Sequence, residues 1–408
     1  MKCGLLGRKL GHSYSPQIHK GLGPYSYSLF EVEPEALESF LKNGDFQGLN
    51  VTIPYKKDVI PYLSELSPEA KRIGAVNTII RKPDGSLIGH NTDSFGFRFM
   101  AERSGLHFEG KKVLVLGSGG ASNTVYAVLE ELGACPVRIS RSGPDNYGNL
   151  FLHADASVIV NATPVGMFPD TDETPLTLDC FPVLEGVLDV IYNPARTRLL
   201  MEAEIRGLVT ENGLWMLVAQ AKESAEWFTG EKISDNCIET IHRSLQGQME
   251  NLILVGMPGS GKSTVGRALA DLLHRRFVDA DDALENACHR AIPEILQSDG
   301  EPAFRQLETE TLSELGKQSG LVLATGGGCV TRSENYPLLH CNGRIFWLNR
   351  DLEKLPTNGR PLSQAGSLNR MYEIREPMYR AFADYRIENN GSLTDTLQQI
   401  IRYVEEKT

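Results

Sequence analysis

A glycine-rich stretch, Gly256–Ser263, has the residue types and spacing of a phosphate-binding loop, G-x-x-x-x-G-K-[ST]. Its glycines allow the backbone to wrap so that N–H groups point inward, and the start of a following helix adds partial positive charge. Lys262 can reach the β- and γ-phosphates of a nucleotide, and the Ser263 hydroxyl can bind Mg²⁺. The stretch therefore predicts a nucleoside triphosphate site, with contacts from Gly259, Ser260, Gly261, Lys262, Ser263 and Thr264.

A phosphate-binding loop must lie between a strand and a helix, and the residues on either side of this loop predict both. Leu252–Val255 is a short apolar run typical of a buried strand. After the loop, apolar residues recur with helical spacing at Val265, Ala268, Leu269, Leu272 and Leu273. The alternative, a chance glycine loop, does not explain why both flanking elements are in register.

A second glycine turn, Gly117–Ser122, follows the apolar strand Val113–Leu116 and precedes a helical pattern. This signature of a dinucleotide site is weak by itself, and its last position is Ser122 instead of Gly or Ala. The next strand, Val137–Ser140, leads to Arg141, where a protein that prefers NAD would have an acidic residue. An arginine suits the 2′-phosphate of NADP, and a surface arginine is the alternative. We expect NADP(H) to contact Gly117, Gly119, Gly120, Ala121 and Arg141.

The first hundred residues carry hydroxyl, amide and carboxylate side chains near the ends of predicted strands and helices. These residues are Ser13, Ser15, Asn50, Thr52, Asn77, Asn91 and Asp93. Such a lining suits a small polyhydroxylated ligand, because each hydroxyl group needs a partner once it is desolvated. Turn and helix-capping roles are the alternative for any one of them taken alone.

Composition and charge favour a globular enzyme of two or three domains. The 408 residues are 41% hydrophobic and 23% charged, and the net charge of −11 argues against a nucleic-acid or polybasic membrane surface. The seven cysteines are scattered and never form C-x-x-C, which favours buried thiols in a reducing compartment. No apolar run approaches membrane-spanning length, and the N-terminus does not resemble a signal peptide. We expect a cytoplasmic protein that acts on small molecules, and the oligomeric state stays open.

From His12 to Gly230 the chain resembles shikimate dehydrogenase. The motifs that carry the resemblance occur in matching order, as H-S-Y-S-P, N-V-T-I-P-Y-K, G-A-V-N-T, N-T-D-S-F-G, G-S-G-G-A, N-A-T-P-V-G-M and N-G-L-W-M-L-V-A-Q-A. The resemblance implies NADP-linked, reversible reduction of 3-dehydroshikimate to shikimate, with Lys56 and Asp93 as the catalytic pair. It also implies that Gly213 approaches the nicotinamide. The substrate contacts that it implies are Ser13, Ser15, Thr52, Asn77, Asp93, Tyr192 and Gln220.

The chemistry of carbonyl reduction agrees with that pair. Hydride transfer to a carbonyl carbon builds an alkoxide, which needs a proton donor at hydrogen-bond distance. A partly buried lysine ammonium, oriented by a carboxylate, can serve as this donor. Two features depart from the family pattern: Lys20 replaces the usual Asn, and the stretch from Arg141 to Ser157 is too short for the usual helix.

The chain from Asn251 to Thr408 resembles shikimate kinase. Beyond the phosphate loop, the motifs are F-V-D-A-D, read as a strand that ends in two carboxylates, G-E-P-A-F-R-Q-L-E, T-G-G-G, G-R-P-L and R-E-P-M-Y. The resemblance implies that Asp279 joins Ser263 around Mg²⁺ and that Arg360 reaches the phosphates from a lid, which looks shortened here. Catalytic roles are implied for Asp281, Lys262 and Arg360, and shikimate contacts for Asp281, Arg305, Gly327, Gly328 and Arg375. Surface ion pairing is the alternative for Arg305 and Arg375.

These observations predict an α/β protein with a two-lobed dehydrogenase followed by a P-loop kinase with a parallel sheet. The predicted parts are a substrate-binding lobe at 1–98, an NADP-binding Rossmann-like lobe at 99–245 and a kinase at 250–408. Gln246–Glu250 is the predicted linker. We expect a bifunctional enzyme of aromatic amino-acid precursor synthesis that uses NADP(H), ATP and Mg²⁺. The alternatives are a dehydrogenase that acts on quinate or a related hydroxy acid, and one half that is an inactive regulatory module.

Overall fold

A computed structural model describes residues 1–11, 13–355 and 365–405 of the chain. The chain divides into two compact units. Unit 1 consists of Met1–Tyr192 and Thr197–Arg243, and unit 2 consists of Asn193–Arg196 and Ser244–Thr408. The α/β class that the sequence predicts is confirmed in both units.

Unit 1 begins with a mixed six-stranded sheet in the order β2-β1-β3-β5-β6-β4. Its strands are β1 Lys2–Gly7, β2 Ser26–Glu31, β3 Gly48–Val51, β4 Glu65–Leu66, β5 Thr78–Arg81 and β6 Leu87–His90. The accompanying helices are α1 Ser15–Lys20, α2 Leu37–Asn43 and α3 Pro68–Ile73. A buried cluster that includes Leu6, Leu49, Val51 and Ile79 forms the core beside the sheet. Because β5 runs antiparallel to both β3 and β6, its first residue, Thr78, lies between Asn50 of β3 and His90 of β6, and polar residues meet at this edge of the sheet.

The rest of unit 1 is built on a parallel sheet in the order β11-β10-β9-β7-β8. Its strands are β7 Lys112–Leu116, β8 Cys135–Ile139, β9 Val158–Asn161, β10 Gly186–Asp189 and β11 Val209–Glu211. The helices are α4 Asp93–Arg103, α5 Gly120–Glu131, α6 Arg198–Ile205 and α7 Leu214–Thr229, and the helix that follows, α8 Asn236–Met249, continues into unit 2 from Ser244. The chain passes from β7 to β8 on one side and returns to β9 on the other. The glycine turn after β7 therefore lies at a switch in strand order, where α/β sheets bind ligands.

Unit 2 contains a second parallel sheet in the order β13-β14-β12-β15-β16. Its strands are β12 Asn251–Val255, β13 Arg276–Asp279, β14 Leu321–Ala324, β15 Gly343–Asn349 and β16 Tyr385–Glu388. The helices are α9 Lys262–Leu273, α10 Ala280–Cys288, α11 Ile292–Ser298, α12 Gly300–Gly316, α13 Asn335–His340, α14 Ala365–Phe382 and α15 Leu393–Glu405. Strand β12 is central and buried, as expected for parallel sheets covered on both faces. The phosphate loop follows this strand, at the switch between β14 and β15.

Two local predictions are wrong. The helix α8 does not end before the predicted linker but continues through Gln246–Met249, because Leu245 and Met249 on α8 are buried. Strand β13 ends at Asp279, whose carboxylate caps the next helix by accepting the N–H of Asp281. Asp281 is therefore a residue of the first turn of α10 and not of the strand.

The shortened stretch in the dinucleotide half is confirmed. Between Arg141 and Ser157 the helical structure is a single 3₁₀ turn, Leu150–His153. The predicted domain boundaries near residues 98 and 245 fall inside α4 and α8, and they stay predictions.

Candidate active sites

The Nζ of Lys56 lies 2.6 Å from the Oδ2 of Asp93 in unit 1. Lys56 follows β3, and Asp93 is the first residue of α4, where the partial positive charge of the helix start favours a carboxylate. The lysine side chain is 23% exposed and the aspartate side chain 10%. The ammonium group is therefore oriented by a largely buried carboxylate and remains accessible to a ligand.

Asn77 connects this pair to the substrate residue predicted on α7. Its Nδ2 donates to the Oδ1 of Asp93 at 2.9 Å and reaches the Oε1 of Gln220 at 3.4 Å. Its Oδ1 accepts the backbone N–H of Thr92 at 2.7 Å. The structure thus joins four predicted site residues, Lys56, Asp93, Asn77 and Gln220, in one hydrogen-bonded group. Because Asn77 is buried and engaged at both ends, it orients its neighbours.

Ser224 supports this group, and the sequence analysis did not find it. The residue lies one helical turn after Gln220 and is fully buried. Its hydroxyl lies 2.7 Å from the Nδ2 of Asn50, 2.8 Å from the Oγ1 of Thr78 and 2.9 Å from the Oγ1 of Thr92. The i+4 spacing from Gln220 on a helix was the available signal.

The remaining predicted substrate residues of unit 1 make no hydrogen bond to the lysine–aspartate pair in the part of the chain that the structure describes. Ser13 accepts the N–H of Ser15 at 3.2 Å, at the start of α1. The backbone N–H of Thr52 donates to Leu6 at 2.9 Å. The ring of Tyr192 lies edge-on to that of Tyr14, with centroids 6.3 Å apart. Their roles in binding substrate stay predictions.

The glycine turn after β7 leaves open space at the start of α5. A Cβ at Gly119 or Gly120 would meet no atom within 4 Å, and Ala121 follows in the first helical turn. Gly117 has φ of +110°, and a Cβ there would lie 3.0 Å from the Cγ2 of Thr163. Ser122 is buried, and its hydroxyl donates to the Gly117 carbonyl at 2.7 Å, which accounts for a serine at this position. The turn can accept a phosphate group at the helix start.

Arg141 and Gly213 have different surroundings. Arg141 is exposed and lies two residues after the edge strand β8. Burial raises the pKa of the Tyr147 phenol, and the positive charge of nearby Arg141 opposes this effect. Gly213 precedes α7, and its N–H donates to Ile191 at 2.9 Å. A Cβ at Gly213 would overlap the backbone of Val190, so packing alone requires a glycine. The structure does not test its predicted approach to the nicotinamide.

Unit 2 has a cavity of about 600 Å³ at the phosphate loop. Most predicted kinase residues line it, namely Gly259, Gly261, Lys262, Ser263, Thr264, Asp279, Asp281, Arg305, Gly327, Gly328 and Arg375. Ser260 does not line it, because its side chain is fully buried and its N–H donates to Met257. Arg360 lies outside the described residues.

Lys262 and Ser263, at the end of the phosphate loop, have different hydrogen-bond partners. The Nζ of Lys262 donates to the carbonyls of Gly256 at 2.9 Å and Met257 at 3.2 Å. The Oγ of Ser263 donates to the Oδ2 of Asp279 at 2.6 Å. A hydroxyl and a single carboxylate are hard oxygen ligands of the kind that Mg²⁺ accepts beside phosphate and water. These residues therefore fit a Mg²⁺ ion that also binds a nucleotide.

Asp281 has an altered acidity. Burial raises the pKa of its carboxyl group to about 6, and the nearby negative charge of Asp279 acts in the same direction. A carboxylate with such a pKa can accept a proton from a hydroxyl group near neutral pH.

Arg305 is held by a residue without a predicted role, Glu308. The Nη1 of Arg305 donates to the Oε2 of Glu308 at 2.7 Å, and Glu308 is only 2% exposed. A Cβ at Gly328 would overlap the guanidinium of Arg305, so the glycine makes room for it. Across the cavity, the Nη1 of Arg375 donates to the Gly327 carbonyl at 3.2 Å. The i, i+3 spacing of Arg305 and Glu308 on α12 was the signal for this pair.

Gly326 lies against the same carboxylates. A Cβ there would lie 2.6 Å from the Oε1 of Glu308 and 2.8 Å from the Oδ1 of Asp281. At Gly327 the nearest atom would be the Cδ of Pro258, at 2.7 Å. The T-G-G-G motif therefore keeps side chains out of the space between α12, α10 and the phosphate loop.

Two family profiles match the chain. The profile described as "Shikimate dehydrogenase substrate binding domain" matches residues 5–79, and that described as "Shikimate kinase" matches residues 258–405.

Within the described residues, no group of three or more His, Cys, Asp or Glu residues could hold a metal ion, and no helix is long and apolar enough to cross a membrane.

The similar proteins match the part of the chain before the kinase. The NADP⁺-dependent shikimate dehydrogenase of Clostridium perfringens is 37% identical over an alignment of 266 residues, which covers 60% of this chain and 97% of the relative. Shikimate dehydrogenase 1 from Peptoclostridium difficile has a crystal structure with a TM-score of 0.56 and 37% identity, over 60% of this chain and 97% of that one. A chorismate mutase/shikimate 5-dehydrogenase fusion protein from Clostridium acetobutylicum gives a TM-score of 0.57 and 36% identity, over 60% and 96%.

Proposed function

Because the chain belongs to the shikimate dehydrogenase family and carries a shikimate kinase domain, we propose that it catalyses two consecutive reactions. The first is the reduction of 3-dehydroshikimate to shikimate with NADPH, and the second is the phosphorylation of shikimate to shikimate 3-phosphate with MgATP. The observation that carries the proposal is that the product of the first reaction is the substrate of the second. Each unit also retains the side chains that its reaction needs.

In the reductive step, bound NADPH supplies the hydride. Lys56 then stabilises the developing alkoxide and donates a proton to it, because its ammonium is accessible and oriented by Asp93 at 2.6 Å. The Nδ2 of Asn77 donates to the Oδ1 of Asp93, so that the Oδ2 of this carboxylate stays directed at Lys56. The hydroxyl and carboxylate groups of the substrate are proposed to bind to Gln220, Ser13, Ser15, Thr52 and Tyr192.

The dinucleotide is proposed to lie along the start of α5. The open space at Gly119 and Gly120 supports a pyrophosphate there, where the helix start presents N–H groups. Arg141, exposed after β8, is proposed to pair with the 2′-phosphate that distinguishes NADP from NAD.

In the phosphorylation step, Asp281 is proposed to accept the proton of the attacking shikimate hydroxyl. Before this attack, when the nucleotide binds, the Nζ of Lys262 would exchange the loop carbonyls for the β- and γ-phosphates. Ser263 and Asp279 would hold Mg²⁺, which supplies charge neutralisation when bound. Arg305 and Arg375 are proposed to bind the shikimate carboxylate from two sides, a geometry in which charge-assisted hydrogen bonds are strong.

The test supplies the full chain with 3-dehydroshikimate, NADPH and MgATP. We expect NADPH oxidation, followed by absorbance, and the appearance of shikimate 3-phosphate by mass spectrometry. Omission of MgATP should stop the sequence at shikimate, and omission of NADPH should prevent both products. Faster turnover of quinate than of shikimate with NADP⁺ would instead assign the first half to another hydroxy acid. A lack of shikimate phosphorylation would leave the second half without its proposed activity.

A further inference from the structure

Arg350 has no role in the function proposed above, yet it lines the cavity of unit 2. It follows β15, which pairs directly with the strand that precedes the phosphate loop, Val255 opposite Trp347. The Nη1 of Arg350 lies 3.8 Å from the position that a Cβ of Gly261 would occupy. Its guanidinium therefore lies over the last glycine of the loop, immediately before α9.

Arg350 differs from the other two arginines of the cavity in the hydrogen-bond partners of its guanidinium group. Arg305 is held by Glu308, and Arg375 donates to the Gly327 carbonyl. Within the part of the chain that the structure describes, the Nε of Arg350 is buried without a hydrogen-bond partner, and no carboxylate forms an ion pair with this arginine. Buried donors of a charged group are costly to leave unpaired. An anion bound beside Arg350 would satisfy this donor.

The position of Arg350 identifies that partner. In the strand order β13-β14-β12-β15, Asp279 ends β13 on one side of the phosphate-loop strand, and Arg350 follows β15 on the other. Asn389 fixes the loop on the side of Arg350, because its Nδ2 donates to the Ser260 carbonyl at 2.6 Å. An anion that extends along the loop would meet Ser263 and Asp279 on one side and Arg350 on the other.

We propose that Arg350, which follows a strand of the central sheet, binds the phosphate chain of the nucleotide and is a second cation of this site beside Lys262. The planar guanidinium can form two parallel hydrogen bonds with phosphate oxygens, which a lysine ammonium cannot. The inference rests on the proposed function of unit 2 as an ATP-dependent kinase. It assigns to β15 a nucleotide contact that the phosphate-loop motif does not contain.

The experiment measures the Kd of MgADP, inorganic tripolyphosphate and adenosine by calorimetry on the full-length protein. For Arg350→Met we expect the Kd of MgADP and of tripolyphosphate to rise about tenfold, since one charge-assisted contact is lost. The Kd of adenosine and that of shikimate without nucleotide should stay within about twofold of the unmodified values. Arg350→Lys keeps the charge and should lose less affinity for both phosphate ligands.

Arg380→Met is the matched control, because this arginine of α14 is 65% exposed and pairs with Glu376 outside the cavity. Unchanged MgADP and tripolyphosphate affinity in Arg350→Met would overturn the proposal, and so would a loss confined to adenosine. If Arg350→Met also lost shikimate binding, Arg350 would have a structural role in the unit instead of a specific role in binding phosphate. If the unmodified protein does not bind MgADP, the kinase assignment itself fails. This outcome is distinct from a failure of the Arg350 proposal, which would appear only in the variants.

Discussion

The buried carboxylate of Glu308 holds Arg305 in place, because its Oε2 accepts a hydrogen bond from the Nη1 of Arg305 at 2.7 Å. Its Oε1 is buried and has no hydrogen-bond partner among the residues that the structure describes. Glu301 also pairs with Arg305, at 3.2 Å, but its side chain is 58% exposed. Since exposed ion pairs contribute little, the buried glutamate decides where the arginine points.

We therefore predict that Glu308→Gln raises the KM for shikimate about tenfold, because Arg305 loses its charged anchor. The KM for ATP should change little, since within the described residues Glu308 pairs with Arg305 and forms no hydrogen bond with the phosphate loop. Glu301→Gln is the control and should leave both constants nearly unchanged. Steady-state kinetics with each substrate varied in turn checks this prediction. A rise in both KM values in Glu308→Gln would point to a general distortion of the cavity.

For the first unit, Lys56→Ala should slow the reductive reaction by at least about 100-fold at saturating substrate, because the proton donor is removed. Lys57→Ala is the matched control, since Lys57 is exposed and has no proposed part in the chemistry. Phosphorylation of shikimate by the same Lys56→Ala preparation should continue at the unmodified rate. Both rates are measured on one preparation, by NADPH oxidation and by ADP release. Loss of both activities in a folded variant would contradict the assignment of separate sites to the two units.

The dinucleotide preference can be tested at Arg141. Arg141→Asp should raise the KM for NADPH by about tenfold or more, because a carboxylate repels the 2′-phosphate, whereas the KM for NADH should change much less. Arg141→Gln, which removes the charge without adding repulsion, should give an intermediate loss. Equal use of NADPH and NADH by the unmodified protein would remove the basis for this assignment.

The sequence predicted those parts of both sites that depend on local order along the chain. The phosphate loop follows a buried strand and precedes a helix, as the spacing of Gly256–Ser263 requires. The glycine turn after β7 likewise lies at the start of a helix, although that helix begins at Gly120, three residues before the predicted start.

The residues that the sequence analysis missed act through contacts between distant parts of the chain. Ser224 bonds to Asn50, which lies 174 positions earlier, so no local pattern could reveal the contact. Glu308 was visible as part of a motif, but its role depends on burial against Gly326, which only the folded structure shows. The motif F-V-D-A-D predicts a strand that extends to Asp281. The capping carboxylate of Asp279 ends that strand two residues earlier.

The pH dependence of phosphorylation follows from the acidity of Asp281. Burial first, and then the charge of Asp279, raise its pKa to about 6, so the carboxylate form that can accept a proton predominates only above that pH. We expect kcat/KM for shikimate to fall as the pH is lowered through about 6, with one proton taken up on the acid side.

Asp281→Asn should remove most of the activity, because an amide cannot accept the proton, and the remaining rate should lose the acid limb. The measurement is initial rate against pH, from about one unit below that pKa to about two units above it, at saturating MgATP and with shikimate below its KM. NADPH oxidation by the other unit, followed over the same range, reports whether the protein stays folded. An acid limb that persists unchanged in Asp281→Asn would assign the titration to another group and withdraw the proton-accepting role from this aspartate.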